Sequence, residues 1–101
     1  MKLNTPSIAL IGVPTDIGAG HRGASMGPEA LRVAGIADAL RARGLDVTDY
    51  GNLQGPVNPW QPPSAGYRHL PEVVERNRLT MEAVYASLGR GELPIVLGGD
   101  H

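Results

Sequence analysis

Three short apolar runs mark the chain, separated by two longer stretches with helical spacing. Ile8-Ala9-Leu10-Ile11-Gly12-Val13 is continuously apolar, and so is Ile95-Val96-Leu97. Unbroken runs of this length suit strands covered on both faces, as in a parallel sheet flanked by helices. Leu45-Asp46-Val47-Thr48-Asp49-Tyr50 alternates instead, which predicts a half-covered strand ending at Gly51-Asn52. Between the first two runs, Val33, Ile36, Ala37 and Leu40 fall at i, i+3, i+4 and i+7 and form one helical stripe. Pro28 suits the first helical position and Gly44 the left-handed cap, while Gly35 predicts a kink or two short helices. Pro71 opens a second helix, with Leu70, Val73, Val74, Met81, Val84, Tyr85 and Leu88 on its apolar face. Glu72, Glu75, Arg76, Arg78 and Glu82 read as its solvated side. The expectation is strands at about 7–13, 45–50 and 94–97, and helices at about 28–43 and 70–89.

The order is β-α-β-α-β. Right-handed crossovers make the strands parallel. The fold class is therefore α/β, the first half of a doubly wound, mostly parallel sheet. Parallel strands bring the ends at Gly12-Val13, Gly51-Asn52 and Gly98-Gly99 to one sheet edge, where sites form in open α/β sheets. Residues 53–68 hold Pro56, Pro59, Pro62 and Pro63 and read as a long irregular connection, with Trp60 packing it onto the body.

Composition narrows the classes. With 101 residues, the chain is one small domain or part of a larger one. A formal charge of −1, without a basic stripe, argues against a nucleic-acid partner. The absence of Cys excludes disulfides and thiolate metal sites. No run approaches the roughly 20 apolar residues of a membrane span, and Lys2 followed by a short interrupted run is a poor signal peptide. A cytoplasmic protein with no membrane partner is expected.

The third strand runs straight into Gly98-Gly99-Asp100-His101. Two glycines allow a sharp turn and close backbone approach. A carboxylate and an imidazole follow where a ligand-binding residue would stand. A turn with a solvated Asp is the plain alternative. The loop 14–27 holds Gly18-Ala19-Gly20-His21-Arg22-Gly23, which matches G-x-G-x-x-G and raises a dinucleotide-binding module. Context opposes it: four residues separate strand from motif, and the helix opens only at Pro28. Asp49 stands too far on for a ribose-binding acid. Asp16, His21 and Arg22 are candidates for a rim loop, Arg22 pairing with Asp16. His69 reads as a surface residue.

The chain resembles the amino-terminal part of an arginase of the ureohydrolase superfamily. The residues that carry the resemblance are Gly12-Val13-Pro14, Asp16, Gly18, Arg22-Gly23, Met26-Gly27-Pro28, Leu31-Arg32, Ala34-Gly35, Asp49-Tyr50-Gly51 and Leu97-Gly98-Gly99-Asp100-His101. It implies an arginase-like three-layer αβα domain, of which 1–101 is the amino-terminal part, truncated after the first metal-ligand motif. It implies a two-manganese (Mn²⁺) centre with His101 as ligand, Gly98 and Gly99 making the turn, and Asp100 fixing turn and ligand. The other ligands and the catalytic residues then lie beyond this chain. The implied reaction is hydrolysis of the guanidinium group of L-arginine to ornithine and urea, in a homo-oligomer, trimer or hexamer. Ser25 stands where arginases usually carry an acid, which leaves agmatinase or guanidinobutyrase as alternatives. These 101 residues alone are expected to be inactive; a non-catalytic remnant of the fold is a further possibility.

Overall fold

The continuously apolar run at the amino end forms a strand with both faces covered, β1 (Ser7–Gly12), and the rest of the chain winds about it. A computed structural model describes residues 6–18 and 23–99. After β1 come a 3-10 turn (Ala24–Met26), α1 (Gly27–Val33), α2 (Ile36–Arg41), β2 (Asp46–Asn52), α3 (Leu70–Gly89) and β3 (Leu93–Leu97). The sheet order is β2-β1-β3, and both pairings are parallel. All three expected strands are present with the expected direction.

The first helix is two helices, as Gly35 predicts. Its φ of 94° breaks the helical path between α1 and α2. The break lets α2 lay Ile36, Ala37 and Leu40 onto Ile8, Leu10 and Leu97. Strand alternation turns Ala9 and Ile11 to the opposite face. They too are fully buried, and α3 packs against β1 and β3. Helices thus flank the sheet on both sides.

The second helix has the expected bounds but a different inner face. Val73 is half-buried, Arg76 and Ser87 are buried, and Val74, Met81, Tyr85 and Leu88 are exposed. The helix is rotated about its axis relative to the sequence reading. Residues 73, 76, 80 and 87 share a stripe at helical spacing, and the Arg76 guanidinium reaches the carbonyls of Leu53 (3.0 Å) and Pro56 (3.3 Å). Those hydrogen bonds tie the proline-rich connection to α3. Within that connection, Ala65 and Gly66 both have positive φ and join Ser64 to Tyr67 by paired backbone hydrogen bonds, the pattern of a two-residue turn.

Candidate functional site at the carboxyl edge of the sheet

The carboxyl ends of β1 and β3 stay locked past the last ladder pair, where Val13 N–H donates to the Leu97 carbonyl at 2.8 Å. The chain after β3 then runs against the segment that opens α1. A Cβ on Gly27 would stand 3.0 Å from the Gly99 Cα and closer still to the Gly98 carbonyl. A Cβ on Gly99 would collide with the Ala24 carbonyl oxygen. Two glycine-bearing motifs, 26–28 and 98–99, therefore meet backbone to backbone. This contact is closer than any side chain permits, which explains why glycine stands at both positions. It fixes the direction in which the chain leaves β3, immediately ahead of Asp100 and His101 in sequence.

A second lock lies at the ends of β1 and β2. Arg32 of α1 donates to both carboxylate oxygens of Asp49, at 2.8 and 3.1 Å, and to Asn52 Oδ1 at 2.6 Å. In a regular strand, residues 49 and 52 would point to opposite faces. Here the register shifts between Leu10 and Gly12, so that Asn52 pairs with Gly12. Gly51, with φ 79°, takes up the extra residue as a bulge. Asp49 and Asn52 then face Arg32 together. The Arg32 guanidinium holds the Asp49 carboxyl below its ordinary value, aided by the Gly51 N–H, which donates to Asp49 Oδ1 at 2.8 Å. β2 thus runs to Asn52 rather than ending at Tyr50. Asp49, the acid that a ribose would need, already holds Arg32.

The loop that follows β1 is held from the other side. Asn58 Nδ2 donates to the Asp16 carbonyl at 2.9 Å and lies 3.3 Å from Asp16 Oδ1. His69 was expected at the surface and is buried. Its Nδ1 lies 2.8 Å from the Ile17 carbonyl, and Gln61 N–H donates to its Nε2 at 2.9 Å. The Nδ1–H tautomer satisfies both contacts. The reason for the difference is the path of the connection. Residues 53–69 fold back over loop 14–18, and His69 becomes the pin between them. Trp60 is 40% exposed and lines a cavity of about 270 Å³ with Asp16, Ser25, Asn58 and Arg76.

Of the residues singled out in the sequence, Gly98, Gly99 and Asp16 lie within the described structure at this edge. His21, Arg22, Asp100 and His101 lie outside the described residues. Among the described residues no group of three or more His, Asp or Glu could hold a metal ion. Arg32, His69 and Arg76 were not identified as polar anchors from the sequence; of these, His69 and Arg76 are buried. For Arg76 the signal was its place in the stripe through Val73 and Ser87. For His69 no local signal existed.

The three parallel strands, the helices on both faces and the close backbone packing at the carboxyl edge define a three-layer αβα protein with its candidate site at that edge. The Arginase family model matches residues 6–101, and the chain belongs to that family. It is 42% identical over 93 residues to an arginase of Brucella melitensis, covering 91% of this chain and 30% of that protein. It is 36% identical over 95 residues to an arginase of Brevibacillus brevis, covering 94% of this chain and 32% of that protein. The crystal structure of arginase from Bacillus cereus superposes with a TM-score of 0.80 at 35% identity, covering 94% of this chain and 30% of that one. The fold is the arginase αβα sandwich. The chain spans about a third of the length of these relatives.

Proposed function

We propose that this chain forms the amino-terminal part of a manganese-dependent ureohydrolase that cleaves the guanidinium group of L-arginine to ornithine and urea. Membership of the arginase family supports a hydrolase. The observation that carries the finer reading is the interlock of Gly27 with the Gly98 and Gly99 backbone. It makes the approach to Asp100 and His101 rigid at the edge where α/β sheets place their ligands. His101 would supply one imidazole ligand, bound as the unprotonated ring. Asp100 would hold the turn. Bound in a pair, the metal ions supply the Lewis acidity that makes water nucleophilic near neutral pH. Mn²⁺ suits a mixed set of imidazole and carboxylate donors.

The chain's own residues contribute position. The pins Asn58 to Asp16 and His69 to Ile17 hold the rim loop that would border a small guanidinium substrate. Ser25, in the 3-10 turn that touches Gly99, departs from the acid common in arginases and keeps agmatine and guanidinobutyrate in play as substrates. A cytoplasmic homo-oligomer is part of the same proposal. No helix among the described residues is long and apolar enough to cross a membrane.

The test is urea release by the full-length protein, with Mn²⁺, from arginine, agmatine and guanidinobutyrate in parallel. Turnover of arginine well above the other two is the expected result. Preference for agmatine or guanidinobutyrate would move the assignment to the related enzyme. Urea from none of the three would reject it.

A further inference from the structure

Arg76 is 8% exposed, yet its named acceptors are two neutral carbonyls, those of Leu53 and Pro56. No carboxylate among the described residues pairs with it. Gly55 packs over the guanidinium, where a Cβ would stand 3.1 Å from its Cζ, so one face is closed by backbone. A guanidinium carries five N–H donors, and the two carbonyls account for only part of them. A buried cation without a counter-charge is costly unless an anion or water completes its shell. Burial pushes its proton affinity below the ordinary value.

Two cavities flank the group. The one of about 200 Å³ has an apolar wall of Val13, Ile17, Val73 and Val96. Among the described residues no acid lines it. The other, of about 270 Å³, is lined by Asp16, whose carboxylate disfavours an anion. We propose that the smaller cavity binds a short aliphatic monocarboxylate, its carboxylate on Arg76 and its hydrocarbon part against the four apolar side chains.

The chemistry selects this class. A planar guanidinium matches a carboxylate in two parallel hydrogen bonds. A single cation beside an apolar wall suits a monoanion with a hydrocarbon tail better than phosphate or sulfate. Among the described lining residues no acid stands to pair with an ammonium group, so a simple acid fits better than an amino acid. This inference goes beyond the hydrolase reading and does not depend on it.

The test is a titration of the ¹⁵N-labelled full-length protein with isobutyrate, followed by amide shifts, with isobutyramide as the neutral isostere. Saturable shifts at Thr15, Gly18, Asn77 and Gly98 are expected with isobutyrate, and binding at least about tenfold weaker with isobutyramide. Arg76→Gln should weaken isobutyrate to the same degree. Val73→Phe, which fills the apolar wall and leaves Arg76 in place, should abolish the shifts. If Arg76→Gln fails to fold, the isostere and Val73→Phe decide. Absence of saturable shifts, equal binding of acid and amide, or unchanged binding in Val73→Phe would overturn the proposal.

Discussion

Gly99 lies against the Ala24 carbonyl so closely that no side chain fits between them. Both sides of this contact are backbone, so neither can swing away as a flexible side chain would. Gly99→Ala must move the 3-10 turn or the end of β3, and overpacking of this kind costs about 1–3 kcal/mol. Urea denaturation should show that loss for Gly99→Ala and for Gly27→Ala. Gly89→Ala is the control, since nothing stands within 4 Å of a Cβ there. It should leave the midpoint unchanged or raise it slightly. Equal midpoints for all three variants would mean that the interlock carries no strain.

The bond from Arg32 to Asp49 predicts an acid-sensitive contribution to stability. The Asp49 carboxyl sits below its ordinary value, chiefly through the Arg32 side chain. The unfolded chain therefore binds the proton first as pH falls. The stabilisation is fully present above about pH 3.9, the unfolded value, and is lost as pH drops through the lower folded value. Because the pair is partly exposed, Asp49→Asn should cost no more than about 1 kcal/mol at pH 7. The gap between wild type and Asp49→Asn should close on acidification below pH ~3.9. A gap that stays constant with pH would place the effect elsewhere.

Much of the scaffold was legible because β1 and β3 are unbroken apolar runs bounded by turn residues, a pattern that admits few folds. The split of the first helix was legible from Gly35. The end of β2 was not, because Gly51 reads as a stop in sequence and acts as a bulge in the sheet. Arg76 was assigned to solvent on its charge, although its spacing from Val73 and Ser87 puts it on the inner stripe. His69 could not be placed, since its partner Ile17 is 52 residues away in sequence. Arg32 meets Asp49 and Asn52 only because the bulge turns both to one face. Of the candidate site, the close backbone approach that Gly98 and Gly99 permit was read from their motif. Their contact with the 26–28 motif was not, because backbone packing between distant glycines leaves no periodic trace.

His69 gives a local prediction. Its two ring nitrogens join loop 14–18 to the connection at Gln61. His69→Ala removes both bonds and leaves buried polar groups without partners, at a cost of about 1–3 kcal/mol. Hydrogen exchange should quicken at the Gln61 amide, with Ile17 affected through the loop, while amides of β1 and β3 change by the global loss alone. Exchange at Gln61 that matches wild type would show that the pin does not hold the loop.

The central claim is that the glycine turn at 98–99 delivers His101 to a metal centre. The most direct measurement is manganese content and urea release from arginine in the full-length protein, wild type against His101→Ala. Loss of groups that merely support metal ligands lowers affinity or activity about 10–100-fold, so loss of a ligand should lower them at least that far. The account predicts His101→Ala protein that is folded, depleted in Mn²⁺ and nearly inactive. Full manganese occupancy with normal turnover in His101→Ala would contradict it.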